Sequence, residues 1–227
     1  MALGIVQTII AEANAVAVTT ASYNLTAGNN AVMVGACNSS GTETLSSSGG
    51  VSFTEQIEEQ TQEGNAAAYT HMNSAGFTGV TTTLTRTGGG FTGISLTITE
   101  LSGGETTFTG AFSSANSNSG TPTVTFTLNG SASYVFGAAS DWNASGNFTA
   151  GTGETLDNTH HIAGEYSAGQ WHSTSTQGAG SYTSDGAGSA TRDYNIVAIE
   201  MREGAGAASL PKRSTIIQQS ITRASYR

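Results

Sequence analysis

The chain has 227 residues, of which only 10% are charged and 30 are glycine. That length can bury a full core, but the polar surface must come from Ser, Thr, Asn, Gln and Gly. This composition argues against a helical protein, because Thr fits a pleated surface and so much glycine is costly inside helices. The net charge of −9 is unevenly placed: residues 1–201 hold two basic and fifteen acidic residues, net −13, whereas residues 202–227 hold five basic and one acidic, net +4. An acidic body is not expected to bind nucleic acid, while a basic tail points to an acidic partner.

In chain order, Gly4–Ala11 and Ala15–Tyr23 read as strands, with a break at Glu12–Asn14. Asn24–Asn30 reads as a turn. Ala31–Cys37 (AVMVGAC) is a continuous apolar run of strand length, predicted to be buried on both faces. Asn38–Gly50 is predicted as a long polar loop. Val51–Gln62 is ambiguous between strand and short helix and is read as a strand on the alternation of Val51, Phe53, Glu55 and Ile57. Ala66–Met72, Val80–Arg86 and Ile94–Leu101 follow as strands between Gly-rich turns. In Ile94–Leu101 (ISLTITEL), Ile94, Leu96 and Ile98 alternate with Ser95, Thr97 and Thr99, the period of a strand with one buried face. Phe108–Phe112 reads as a short strand, Ser113–Gly120 as a loop and Thr121–Leu128 as a strand. Asn129-Gly130 carries the strongest hairpin signal in the chain, leading into Ser133–Ser140. The polar stretch Asp141–Arg192 is expected to hold two or three strands, with two of them around Thr159–Tyr166 and Trp171–Thr176. Tyr194–Met201 closes the body.

An internal repeat runs through this order. Val32–Ala36 (VMVGA) resembles Tyr134–Ala138 (YVFGA), and Ser95–Leu101 resembles Asn195–Met201. Both pairs are offset by about one hundred residues. Two tandem sandwiches or one sandwich with quasi-two-fold topology would explain it. The single antiparallel β-sandwich, jelly-roll-like and spanning residues 1–203, is preferred, because the link Gly103–Gly120 keeps Phe108 and Phe112 and the second half alone is poor in large apolar residues.

Residues 204–227 form a Gly/Ala linker and a basic arm. Lys212, Arg213, Arg223 and Arg227 accompany Ile216, Ile217, Ile221 and Tyr226. An arm of this composition asks for a partner surface, and these eight residues are the expected contacts. Cys37 is the one cysteine. It precludes an internal disulfide and reads as a buried apolar residue. The N-terminal stretch has no basic n-region, and Glu12 and Asn14 interrupt it before it reaches signal or membrane length. Synthesis and retention in a cytoplasm, with no membrane partner, is the expectation.

No catalytic constellation stands out, and neither an enzyme nor a cofactor is expected. His160-His161, with Asp157, Glu165 and His172, is the one group resembling a metal cluster. Adjacent strand residues face opposite ways, so the expectation is no metal site. Glu100 and Glu200 end the repeated strands. A glycosidase pair needs two carboxylates facing one cleft, and the repeat is better explained if each flanks an equivalent turn. Trp142 and Trp171 are candidate ligand platforms, for a glycan above all, against the more ordinary reading of core or loop anchors.

The element Asn29–Ala36 (NNAVMVGA), the closing strand Ile98–Gly103 (ITELSG) and the Asn129-Gly130 turn resemble those of the Gly/Ser/Thr-rich β-sandwich proteins of tailed bacteriophage particles. Capsid decoration (cement) proteins, head fibres and minor tail proteins make up that group. The resemblance covers most of residues 15–201 and implies a structural virion component assembled in the host cytoplasm, with other virion proteins and copies of itself as partners. It brings no catalytic residues. Its foremost implication is a capsid decoration protein held on neighbouring subunits by its arm. The alternative is a minor tail or head-fibre module that recognises a host-surface glycan or receptor.

Overall fold

The computed structural model describes residues 2–38, 41–87, 93–142, 146–186 and 193–205, and every regular element among them is a strand. The first half contributes β1 (Gly4–Ala13), β2 (Ala17–Thr19), β3 (Tyr23–Leu25), β4 (Asn30–Cys37), β5 (Glu43–Ser47), β6 (Thr54–Glu59), β7 (Asn65–His71), β8 (Phe77–Val80), β9 (Thr82–Arg86) and β10 (Ile94–Ser102). The second contributes β11 (Phe112–Ser117), β12 (Thr123–Leu128), β13 (Ser133–Asp141), β14 (Glu154–Ile162), β15 (Tyr166–Ser173), β16 (Gly180–Asp185) and β17 (Tyr194–Arg202). All pairings between them are antiparallel.

Each half builds the same large sheet. The first has the order β1-β10-β4-β7-β6 and the second the order β11-β17-β13-β15-β14. The repeat seen in two sequence segments thus extends to five strands. Each large sheet carries smaller sheets on one face: β2-β9-β5 and β3-β8 over the first, β12-β16 over the second.

Three apolar layers result. Met33, Leu84, Ile94, Leu96 and Ile98 lead a core inside the first half, joined by Val18 and Tyr23. Phe148, Trp171, Ile196 and Val135 lead a core inside the second. Between the two large sheets lies a shared layer, Val32, Val34, Ala68 and Leu101 against Phe136, Ala138, Val197, Ile199 and Met201. There β4 packs on β13, β7 on β17, β6 on β11 and β1 on β14, as a quasi-two-fold relation between the halves requires. The molecule is therefore both things that the repeat allowed: two small sandwiches, joined by a third sandwich made of their large sheets.

The central strands are buried on both faces. In β4 the side chains of Met33 and Cys37 enter the first core and those of Val32 and Val34 the shared layer. The expectation of one buried face for Ile94–Leu101 is corrected. Ser95, Thr97 and Thr99 are also buried, because the second half covers them, and Gln170 Nε2 donates to Ser95 Oγ at 2.9 Å across the layer. Gly35 and Gly137 mark the equivalent centres of β4 and β13. A Cβ would lie 2.8 Å from Leu84 at the first and 2.5 Å from the Trp171 indole at the second, so each lets one large side chain close its core.

Other sequence expectations shift. Asn129-Gly130 is not a hairpin, because β12 pairs with β16 and β13 with β15 and β17. The chain crosses there from the small sheet to the large one. The expected loop Asn38–Gly50 contains β5, the expected loop Ser113–Gly120 holds all of β11 but Phe112, and Phe108–Ala111 is irregular.

Because the shared layer covers one face of each large sheet, each half alone would expose it. Residues 1–111 and 112–205, expressed separately, are expected to lack a cooperative melt by circular dichroism or calorimetry, and residues 1–205 to melt in one transition.

Candidate functional sites

The matching carboxylates Glu100 and Glu200 sit near the ends of β10 and β17, in different sheets, and both are buried. Each holds a chain reversal. Glu100 Oε1 accepts from the backbone N–H of Thr26 and from Asn29 Nδ2, both at 2.7 Å, and Gln7 Nε2 donates to its other oxygen. Glu200 accepts from the backbone N–H groups of Ala111 and Gly130 at 2.8 Å and of Asn129 at 3.1 Å, and from Ser133 Oγ at 2.7 Å. Burial alone would raise both carboxyls, but these donors outweigh it and hold both below the ordinary carboxylate value. The reading of each Glu as the flank of an equivalent turn matches this geometry. Both oxygens of each carboxylate are thus engaged, those of Glu200 by the turn and the start of β13, those of Glu100 by the turn and by Gln7 of β1.

The histidines are distributed. His172 Nδ1 lies 2.9 Å from both oxygens of Asp157, His161 Nδ1 is 2.8 Å from Ser167 Oγ, and His160 Nδ1 is 3.5 Å from Glu12. Among the described residues no three His, Cys, Asp or Glu side chains converge as metal ligands.

Trp171 is corrected as a ligand platform. It is fully buried, stacks on Phe148 with ring centroids 6.4 Å apart, and donates from Nε1 to Ser184 Oγ at 2.9 Å. Its indole lies inside the second core, so it offers no face to a ligand. Trp142 is half-buried in the turn that follows β13.

Beneath Trp171 lies a carboxyl network that sequence reasoning missed. Glu154, at the start of β14, accepts from Ser184 Oγ at 2.9 Å, from Tyr182 Oη at 3.2 Å and from the Asp185 N–H at 3.2 Å. It ties the small sheet β12-β16 to the large one. Burial raises its carboxyl to about 7. The Ser184 and Asp185 hydrogen bonds offset part of that rise, and the Asp185 charge adds to it. Glu43, buried on β5 opposite Arg86 of β9, is likewise raised to about 8 by burial, with the Cys37 thiol opposing and Glu58 and Glu55 adding. A carboxylate in a polar, Ser-rich stretch gives no sequence signal of burial, so neither position was legible.

The arm residues Lys212, Arg213, Ile216, Ile217, Ile221, Arg223, Tyr226 and Arg227 lie outside the described residues. The point where the arm begins is described. Gly204 and Ala205 border a groove of about 580 Å³ together with Glu105, Thr106, Thr107, Arg202 and Glu203. Arg202 is already engaged there, with Nη1 donating to Thr109 and lying 3.9 Å from Glu105.

No protein-family model matches the chain, and no curated protein or solved structure matches it. Function therefore rests on the residues themselves.

Two outcomes follow from these sites. A folded pKa raised to about 7 favours the protonated fold, so the contribution of Glu154 is present below about pH 4.5 and is lost as pH rises toward 7. Glu100 and Glu200 act oppositely, because their depressed pKa values stabilise above the ordinary carboxylate range and that stability is lost on acidification. Melting temperature is thus expected to peak in mild acid, and Glu154→Gln to make the fall on the neutral side shallower, with the share of Glu43 remaining, while leaving the acid limb in place. Separately, Trp171→Ala is expected to lower stability by about 3–5 kcal/mol in denaturant titration, and Trp142→Ala by well under half of that.

Proposed function

We propose that the chain is a structural virion protein of the capsid decoration type, held on neighbouring subunits by residues 204–227. The observation that carries this reading is the division of the chain into two chemically opposite parts. The body is acidic, and its described residues build three apolar layers. The arm is basic and keeps three isoleucines and a tyrosine, which a tail without a partner would not require. Ordering such a segment on contact gives affinity to a neighbour within reach of the linker.

The body suits that role. Central strands buried on both faces, low charge and clamped turns make a stiff unit. We read β1-β10-β4-β7 facing β2-β9-β5, with the second half repeating the large sheet, as jelly-roll-like. Assembly in the host cytoplasm, with other virion proteins and copies of itself as partners, belongs to the same reading. So does the expectation that no catalysis takes place. A glycan- or receptor-binding module remains the alternative, but the burial of Trp171 removes the stronger half of its aromatic platform and leaves Trp142.

Deleting residues 209–227 is expected to leave the melt of the body unchanged and to abolish incorporation into purified particles, measured by gel and electron microscopy. Normal incorporation of the truncated protein would move the anchor to the body itself.

A further inference from the structure

The quasi-two-fold repeat supplies an internal control for the four outer strands of the large sheets, β1, β6, β11 and β14. An outer strand presents unpaired N–H and C=O groups, and proteins guard such edges with charge, bulges or cover. On β6 the guard is Glu55, Glu58 and Glu59 with a bulge between Glu55 and Ile57. On β14 it is Asp157, His160 and His161 with a bulge between Leu156 and Asn158. The strand β11 is short and polar after Phe112, and β6 closes over it: Ser114 Oγ donates to Glu59 at 2.9 Å, and Gln62 Nε2 to Asn116 Oδ1 at 3.2 Å.

The equivalent of β11 in the first half is β1, and it breaks the symmetry. It spans ten residues, bulges only near its start between Ile5 and Gln7, and pairs regularly with β10 from Gln7 to Ala13. Its outward positions are Val6, Thr8, Ile10 and Glu12, with Val6 50% and Ile10 45% exposed. Ile9 and Ala11 point the other way, into the first core. Across this flank the described contact is His160 to Glu12 at 3.5 Å, in place of the hydrogen bonds that close the other side. A long, regular edge with two exposed aliphatic side chains is a template for an added strand.

The arm carries a matching segment. Ile217, Gln219, Ile221 and Arg223 alternate as Val6, Thr8, Ile10 and Glu12 do, in the same order. Run in the same direction, they set Ile217 by Val6, Ile221 by Ile10 and Arg223 by Glu12. Run in the opposite direction, the apolar positions still meet, but Arg223 loses Glu12. We propose that residues 214–223 of one copy add to β1 of another copy as a parallel strand, burying Val6 and Ile10 and pairing Arg223 with Glu12. The inference rests on reading the arm as an anchor, and it names the surface that receives it.

The test uses full-length chains carrying single cysteines, since Cys37 is buried. Mixing the Ile10→Cys chain with the Ile221→Cys chain under mild oxidation is expected to give an intermolecular disulfide faster than mixing it with an Ile217→Cys chain. In sedimentation, Ile10→Asp is expected to weaken self-association at least tenfold with an unchanged melt, and Ile221→Asp to do the same. Disulfide-linked dimers of the Ile10→Cys chain alone would place a second β1 on this edge and overturn the proposal. A faster link to position 217 would overturn the direction. An Ile10/Ile221 double-cysteine chain that closes only on itself would overturn the crossing between copies. Failure of this dock is separable from failure of the virion reading. Cross-linking with normal particle incorporation after truncation keeps the dock and removes the anchor role, whereas the absence of any cross-link with incorporation lost on truncation does the reverse.

Discussion

The structure depends on the burial of both large sheets against each other. Val32, Val34 and Leu101 from the first half and Phe136, Val197, Ile199 and Met201 from the second meet in that layer. At about 1.5–3 kcal/mol for each large side chain removed from water, no other contact between the halves approaches it. The layer also dictates composition. A strand buried on both faces cannot alternate with charged residues, so β4, β13 and β17 read as near-continuous apolar or small-residue runs. Several of the polar residues that do enter are tied across the layer. Asn195 Nδ2 donates to the carbonyls of Gln62 and Gly64, and Tyr166 Oη to the carbonyl of Ala36.

Turns follow from the same constraint. Connections that must cross between layers cannot be stabilised by a two-residue hairpin ladder, and here a buried carboxylate supplies the missing acceptors. Glu100 and Glu200 gather backbone and side-chain donors of the turns around Thr26–Asn29 and Asn129–Gly130. Their equivalence in the sequence is thus the trace of a repeated structural problem with one solution.

Much of this was legible in the residues. The apolar run Ala31–Cys37 announced a strand with two buried faces, and the offset of about one hundred residues announced the repeated sheet. Two kinds of feature were not legible. Ser95, Thr97 and Thr99 look like a solvent face, and only the presence of a second sheet over them makes that face interior. Asn129-Gly130 looks like a hairpin because local turn chemistry carries no information about which strand comes next to which. Trp171 took the more ordinary of its two readings, a core residue, but the ligand-platform alternative stayed open in the sequence for a related reason. A polar, Gly-rich neighbourhood suggests a loop, whereas Gly137, Gly169 and Gly186 are small because Trp171 and Phe148 fill the space beside them. The all-β class was robust to these errors because it rests on composition and period. The aromatic platform was not, because it depended on burial.

The proposed function draws on the places where the repeat is broken. The two halves match strand for strand in their large sheets and differ at the β1 edge and in the basic segment that follows the body. The most direct test of the shared-layer account is native-state hydrogen exchange on the full chain, read at the amides of β4, β10, β13 and β17. If both halves stand on one buried layer, the slowest amides of all four strands will report the same opening free energy and respond in parallel to denaturant. If β13 and β17 exchange through a cheaper opening that leaves β4 and β10 protected, the halves are independent domains and the layer between them does not govern the fold.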